Sequence, residues 1–66
     1  MSITLNGSPL DCHPHITVAQ LLDQAGYTGR RVAVEVNQEI VPRSQHATRV
    51  LVDGDQIEIV HAIGGG

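Results

Sequence analysis

Polar and apolar residues alternate at the start of the chain, which is the pattern of a β-strand with one buried face. The alternation runs through residues 2–5. Asn6-Gly7 follows, the dipeptide that best tolerates the positive φ angles of a two-residue hairpin turn. Residues 9–12 then form the returning strand. The pattern predicts an N-terminal β-hairpin.

The apolar period changes from strand to helix after residue 16. Thr17 as N-cap, with Gln20 three residues later, forms the pattern of a capping box, and Ile16 and Leu21 are placed to form a hydrophobic staple. Gly26 suits the left-handed conformation that ends a helix. We expect one helix over about residues 17 to 25 that covers a sheet. Its apolar stripe recurs at i, i+3, i+4 and i+7: Val18, Leu21, Leu22 and Ala25.

A second pair of strands is predicted after the helix. Residues 32–36 alternate with the period of a half-buried strand, and Asn37-Gln38 fits a tight turn into a strand over residues 39–41. Pro42 ends that strand, because proline cannot donate to a central ladder.

The last third of the sequence predicts the final elements of the fold. Residues 43–48 are polar and irregular and can hold a short 3₁₀ turn, and the Asp53-Gly54-Asp55 turn separates apolar residues 50–52 from residues 56–63. Local patterns alone make this a terminal hairpin. A last strand paired beside the first, with one helix crossing one face, gives an α+β fold of the β-grasp type. We expect a mixed sheet of four to five strands in one domain over residues 1–63, followed by a flexible glycine tail, residues 64–66.

Length and composition limit what this domain can do. The chain has 66 residues, of which 41% are hydrophobic, and Tyr27 is its one aromatic residue. Such a short chain buries a limited part of its surface, so we expect a thin aliphatic core and no deep enzyme cleft. No carboxylate pair, Ser/His/Asp arrangement or phosphate-binding glycine loop supports a self-contained enzyme.

Charge argues against nucleic acid or an anionic membrane as a partner. Seven acidic residues against four arginines give a formal net charge of -3, and the sequence contains no basic run. No apolar stretch approaches the ~18 residues of a membrane span, and residues 1–6 lack the pattern of a signal peptide. Cys12 is the only cysteine, so no internal disulfide can form. We expect a cytoplasmic protein.

The C-terminal residues are the most informative feature of the sequence. An apolar strand runs into Gly64-Gly65-Gly66, which makes a thin arm with a free carboxylate at its tip. Glycine suits an arm that enters a narrow channel of another protein, because backbone without Cβ can approach a wall closely. The alternative is an ordinary frayed terminus.

The whole chain resembles the ThiS family of thiamine-biosynthesis sulfur carriers, within the ubiquitin-like β-grasp superfamily. The resemblance is carried by residues 32–37, residues 40–43, residues 53–57 and the terminal Gly65-Gly66. The chain departs from the family pattern in having Gly64 before the usual glycine pair.

The resemblance implies a role as a protein co-substrate without catalytic residues or a bound cofactor. A ThiF-type adenylyltransferase would use ATP and magnesium to adenylate the Gly66 carboxylate, while Gly64 and Gly65 contact its channel. Sulfur from a cysteine desulfurase would convert the adenylate into a thiocarboxylate. A ThiG-type thiazole synthase would then take the sulfur into the thiazole ring of thiamine.

Three alternative functions stay open on the sequence. A MoaD-type carrier for molybdopterin shares the fold and tail, although this chain is short and lacks a proline pair before its last glycines. A ubiquitin-like protein modifier would join Gly66 to a lysine of another protein. The chain contains no lysine, which excludes side-chain-linked chains of itself only. The third alternative is a plain binding module with an inert tail.

The remaining candidate groups have simpler structural interpretations. Cys12 could relay a persulfide, but a lone thiol is more often a small core residue. His13 and His15 would need further ligands, such as His46 or His61, to hold a metal ion, so we expect no metal site. The sequence gives His61 no role.

Partner binding is expected at the uncovered face of the sheet together with the tail. Arg43 lies in a segment that resembles the family and is the side chain expected to contact a partner there. Arg30-Arg31 could meet an acidic partner, although adjacent arginines in a loop are usually only solvated. Tyr27 is expected to pack at the edge of the core.

Overall fold

Five β-strands and one α-helix make up the fold in a computed structural model, which describes residues 1–61. In chain order the elements are β1 (Ser2–Leu5), β2 (Ser8–Asp11), α1 (Val18–Gln24), β3 (Val32–Val36), β4 (Glu39–Val41), a 3₁₀ turn (Arg43–Gln45) and β5 (Gln56–His61). The strands form one sheet in the order β2-β1-β5-β3-β4. β5 is parallel to β1 and antiparallel to β3, which confirms the predicted mixed sheet with a single helix.

Two tight turns fix the register of the hairpins. Asn6 and Gly7 both have positive φ angles, 49° and 84°, and Asn37 and Gln38 have φ angles of 52° and 70°. Two central residues with positive φ define the turn whose twist matches that of paired strands. Both turns predicted from sequence are therefore present.

The helix begins with the predicted capping box. The Gln20 amide donates to Thr17 Oγ1 at 3.2 Å, and the Thr17 amide donates to Gln20 Oε1 at 3.0 Å. α1 ends earlier than its apolar pattern indicates, because Ala25 is the C-cap and Gly26 turns the chain with a φ of 86°. Ala25 is consequently exposed, so its predicted place in the buried stripe is wrong.

A single apolar layer lies between α1 and the sheet. The helix contributes Val18 and Leu21, both without exposed surface. Cys12 is 8% exposed and belongs to the same cluster, as its interpretation as a core residue predicts. The buried core consists of Ile3, Cys12, Ile16, Val18, Leu21, Val34, Val36, Val41, Leu51, Ile57 and Ile59.

The predicted terminal hairpin is wrong. Residues 50–52 do not pair with β5; Val50 forms an isolated bridge with Thr17, and the Leu51 amide donates to Ile16 O at 2.9 Å. Both edges of β5 are already occupied by β1 and β3, so no edge is left for a third strand. The segment instead packs Leu51 beneath the start of the helix.

We predict that Val34→Ala and Leu21→Ala each destabilise the domain by about 2 to 4 kcal/mol, because each removes fully enclosed apolar groups and leaves a cavity. Val52→Ala is the control, since Val52 is 60% exposed and its truncation should change stability by less than about 0.5 kcal/mol. Urea denaturation measures all three. If the core variants have the same urea midpoint as the control, this assignment of the core is wrong.

Candidate functional site

Strand β5 leads directly into the residues expected to carry the chemistry. Its last residue, His61, is also the last that the structure describes. The predicted site residues Gly64, Gly65 and Gly66 lie outside the described residues, and their roles stay predictions. The geometry that can be described is that of the strand on which the tail is mounted.

β5 is held on both sides by other strands. Its first residues pair with β1, Thr4 opposite Gln56 and Leu5 opposite Ile57. Residues 57–61 pair with β3, from Val36 opposite Ile57 to Val32 opposite His61. A strand paired on both edges cannot shift along the sheet without breaking both ladders, so the point at which the tail begins is fixed relative to the domain.

Asn6 extends the pairing of β1 with β5 beyond Leu5, the last residue of β1. Its amide donates to Ile57 O at 2.9 Å, and its side-chain Oδ1 accepts from the Ile59 amide at 2.8 Å. Asn6 therefore adds two hydrogen bonds to those between β1 and β5. The turn of the first hairpin thus helps to position β5.

A buried carboxylate holds the start of β5. Asp55 is 6% exposed; its Oδ2 accepts from the Val52 amide and its Oδ1 from Asn37 Nδ2, both at 2.9 Å. Asn37 in turn accepts from the Gln56 amide through Oδ1 at 2.9 Å and donates its own amide to Gln56 O at 2.8 Å. A buried carboxylate is tolerated when such donors satisfy it. The network joins the β3–β4 turn to β5.

The turn before β5 is tied to the N-terminus as well. The Ser2 amide donates to Asp53 Oδ1 at 2.8 Å, and the Gly54 amide donates to Ser2 O at 2.8 Å. Asn37 and the Asp53-Gly54-Asp55 turn, which carry much of the sequence resemblance, are thus anchors of β5. Local sequence patterns do not reveal this role, because the hydrogen-bond partners are far apart along the chain.

His61, to which the sequence assigned no role, packs against Tyr27 at the end of β5. The two ring centroids are 5.8 Å apart and the planes are inclined by 52°. Tyr27 is half-buried and packs against the core, as predicted. Ile57 and Ile59 point to the helix side of the sheet, and the two-residue period of the strand places His61 on that side too.

An open pocket of about 220 Å³ lies beside this ring pair. It is formed by α1, the loop that follows the helix, the first residue of β3, and the 3₁₀ turn with the residue that caps it. Its lining residues are Ala19, Leu22, Asp23, Tyr27, Thr28, Gly29, Arg30, Arg31, Val32, Arg43 and His46. Arg43 therefore lies on the helix side of the domain, so its expected location on the uncovered sheet face is wrong. Its contact with a partner stays a prediction.

The uncovered face of the sheet exposes both apolar and acidic side chains. Ile40 is 71% exposed and Val60 55% exposed. Glu35 lies directly opposite Glu58 on the two neighbouring strands β3 and β5. This face is available for the partner contact expected there, and it is chemically unlike the arginine-lined pocket.

The histidines are not gathered into a metal site in the described part of the chain. Within residues 1–61 no group of three or more His, Cys, Asp or Glu residues could hold a metal ion. His46 Nε2 donates to Val41 O at 3.0 Å, and His13 and His15 are exposed. No helix in residues 1–61 has the length and apolarity needed to cross a membrane.

Comparison with known proteins decides the family. The model of the ThiS family matches residues 3–66. The chain belongs to the ThiS family. It is 39% identical to the sulfur carrier protein ThiS of Escherichia coli K12 over 66 residues, which cover all of both chains. The crystal structure of the thiamine biosynthesis protein ThiS from Geobacter metallireducens superposes with a TM-score of 0.85 at 32% identity, again over the full length of both chains.

Longer proteins contain the same module. The chain is 46% identical over 66 residues to a thiazole synthase of Paramagnetospirillum magneticum, and 44% identical to one of Magnetococcus marinus. It spans about a fifth of the length of each, since the matches cover 20% of those proteins.

These similarities confirm the main predictions from sequence. The fold is the β-grasp of the ThiS structures, and the family is one of sulfur carriers in thiamine biosynthesis. A ThiS-family protein is a carrier that partner enzymes use as a co-substrate.

We predict that Asp55→Ala destabilises the domain by about 1 to 3 kcal/mol, because it leaves the Val52 amide and the Asn37 side chain without their acceptor. Asp11→Ala, at an exposed position on β2, is the matched control and should change stability by less than about 0.5 kcal/mol. Urea denaturation gives both values. Equal midpoints for the two variants would show that the network does not hold β5.

Proposed function

We propose that the chain carries sulfur as a thiocarboxylate on Gly66 and donates it for the thiazole ring of thiamine. Membership of the ThiS family supports this proposal. The observation that carries it is the mounting of the tail: β5 is fixed on both edges and is followed by a sequence that ends in three glycines.

The chemistry begins with activation of the C-terminal carboxylate. A ThiF-type adenylyltransferase supplies ATP and Mg²⁺; the Gly66 carboxylate oxygen attacks the α-phosphate, and pyrophosphate leaves. The resulting acyl adenylate has AMP as a good leaving group. The domain contributes the carboxylate and a surface for recognition, and no catalytic side chain.

Sulfur then replaces AMP. The terminal sulfur of a persulfide, formed by a cysteine desulfurase, attacks the Gly66 carbonyl and AMP leaves. Reduction of the remaining sulfur–sulfur bond by a thiol frees the thiocarboxylate. Its sulfur is the nucleophile that a thiazole synthase consumes, which regenerates the carboxylate of the carrier.

The fixed strand and the thin arm suit this chemistry together. Five residues, 62–66, follow the end of β5, and when extended they span at most roughly 17 Å. Activation in a partner's active site requires that the carboxylate arrive in line with the α-phosphate. A rigid base sets where the arm starts, and glycine lets the arm pass where a side chain would clash.

The partners follow from this cycle. A thiazole synthase is favoured as one of them because two relatives with that name contain the matching module within a single chain. The activating enzyme and the desulfurase are required by the chemistry. We place the cycle in the cytoplasm, which fits a domain whose lone thiol, Cys12, is buried and free.

We predict that deleting Gly66, or replacing Gly65 by Val, abolishes adenylation and thiocarboxylate formation. The deletion withdraws the carboxylate by roughly 3.3 to 3.6 Å, and a misplacement of about 1 Å can cost on the order of a hundredfold in rate. The Gly65→Val chain keeps its length but adds a branched Cβ to the arm. ATP–pyrophosphate exchange with a ThiF-type enzyme from the same genome measures the first step.

Neither change touches the core, so both variants should give the parental NMR spectrum over residues 1–61 and the parental melting midpoint. Adenylation of either variant at the parental rate would overturn the proposal. If the parent chain supports ATP–pyrophosphate exchange but Gly66 is then found joined to lysines of other proteins by isopeptide bonds, the chain is a protein modifier instead.

A further inference from the structure

Three of the four arginines of this acidic chain line one pocket. Arg30, Arg31 and Arg43 all contribute to it, whereas Arg49 does not. Arg30 and Arg31 follow the helix, and Arg43 opens the 3₁₀ turn after β4. The fold therefore gathers cationic groups from two distant parts of a sequence whose net charge is -3.

The charges of Arg30 and Arg43 are not paired within the pocket lining. Among residues 1–61 the side chains of Arg30 and Arg43 form no ion pair, and both residues are exposed. Asp23 is the one acidic residue of the lining, and its Oδ1 accepts a hydrogen bond from Thr28 Oγ1 at 2.7 Å. Guanidinium groups brought together repel one another, so an anion that enters gains attraction from both.

The size and the walls of the pocket indicate the kind of anion. Its volume, about 220 Å³, is below the roughly 300 to 1,000 Å³ of typical small-molecule sites. Leu22, Tyr27 and Val32 supply apolar surface beside the arginines. A carboxylate side chain with an apolar neighbour on a protein surface matches both features, whereas a free inorganic anion would leave the apolar wall uncovered.

The pocket adjoins the point from which the tail departs. Tyr27 lines it and packs against His61, and Val32 lines it and pairs with His61 in the sheet. Gly66 is at most roughly 17 Å along the chain from His61. A protein that holds the carboxylate of Gly66 in its active site is therefore brought close to the arginines.

We propose that this arginine pocket, defined by Arg30, Arg31 and Arg43, is a docking site for an acidic side chain of the thiazole synthase that receives the sulfur. The inference rests on the proposed function and names a recognition surface for it. Thiazole synthase is the chosen partner because two relatives carry the module within a chain of that name. Arg43 and Arg30 hold the partner's carboxylate, and Leu22 and Tyr27 cover its apolar neighbour.

The test compares two charge reversals of equal size. Arg43→Glu changes the pocket, and Arg49→Glu makes the same change in net charge outside it. Titration calorimetry with the intact thiazole synthase from the same genome should show Kd raised roughly tenfold or more for Arg43→Glu, and altered less than about threefold for Arg49→Glu, since charges away from the contact matter little at physiological salt. Amide spectra confirm that both variants are folded.

Three results would overturn the docking site. The first is equal weakening by the two reversals, which would make net charge the cause. The second is unchanged binding of Arg43→Glu, or no binding of the parent. The third is binding of inorganic phosphate to the isolated carrier with a Kd as low as that of thiazole synthase. The pocket would then be a phosphate site.

Failure of this inference can be told apart from failure of the proposed function. Calorimetry uses the unmodified carboxylate form and needs no ATP, so an Arg43-dependent Kd supports docking even if the tail is never adenylated. Conversely, a parent that is adenylated and thiocarboxylated while Arg43→Glu binds as tightly as the parent retains the carrier function and loses the docking site.

Discussion

The structure depends on the fixed position of β5 between β1 and β3. This strand is the only element in residues 1–61 that joins the two hairpins, and it leads into the tail. Its parallel pairing with β1 requires the chain to cross over the sheet, and α1 lies within that crossover. The apolar layer under the helix and the position of His61, from which the tail continues, are consequences of the same arrangement.

Residues that resemble the family are mostly the ones that maintain this arrangement. Asp55 and Asn37 hold the start of β5 through partly buried hydrogen bonds, and Asn6 extends the ladder beside it. None of them lines the arginine pocket on the helix side. Under the proposed function the chemistry belongs to the partner enzymes, and this polar network holds the strand from which the tail continues.

The features that sequence predicted correctly are those that depend on neighbouring residues. Capping by Thr17 and the two positive-φ turns involve contacts within a few residues, and the sequence is enough to identify them. The prediction of a terminal hairpin was wrong because β5 pairs with β1, which lies about fifty residues earlier in the chain. The arginine pocket could not be predicted for the same reason, since Arg30 and Arg43 line one pocket only after α1 packs on the sheet.

The domain thus offers two chemically different surfaces: the open sheet face, with Ile40 and Val60, and the arginine pocket on the helix side. We propose that this scaffold presents Gly66 for exchange of oxygen for sulfur. Intact-mass spectrometry of the chain after incubation with the activating enzyme, ATP–Mg²⁺, a cysteine desulfurase, cysteine and a thiol reductant tests it most directly. We expect a mass gain equal to the replacement of one oxygen by one sulfur, assigned by fragmentation to Gly66. An unchanged mass, or sulfur found on Cys12 instead, would contradict it.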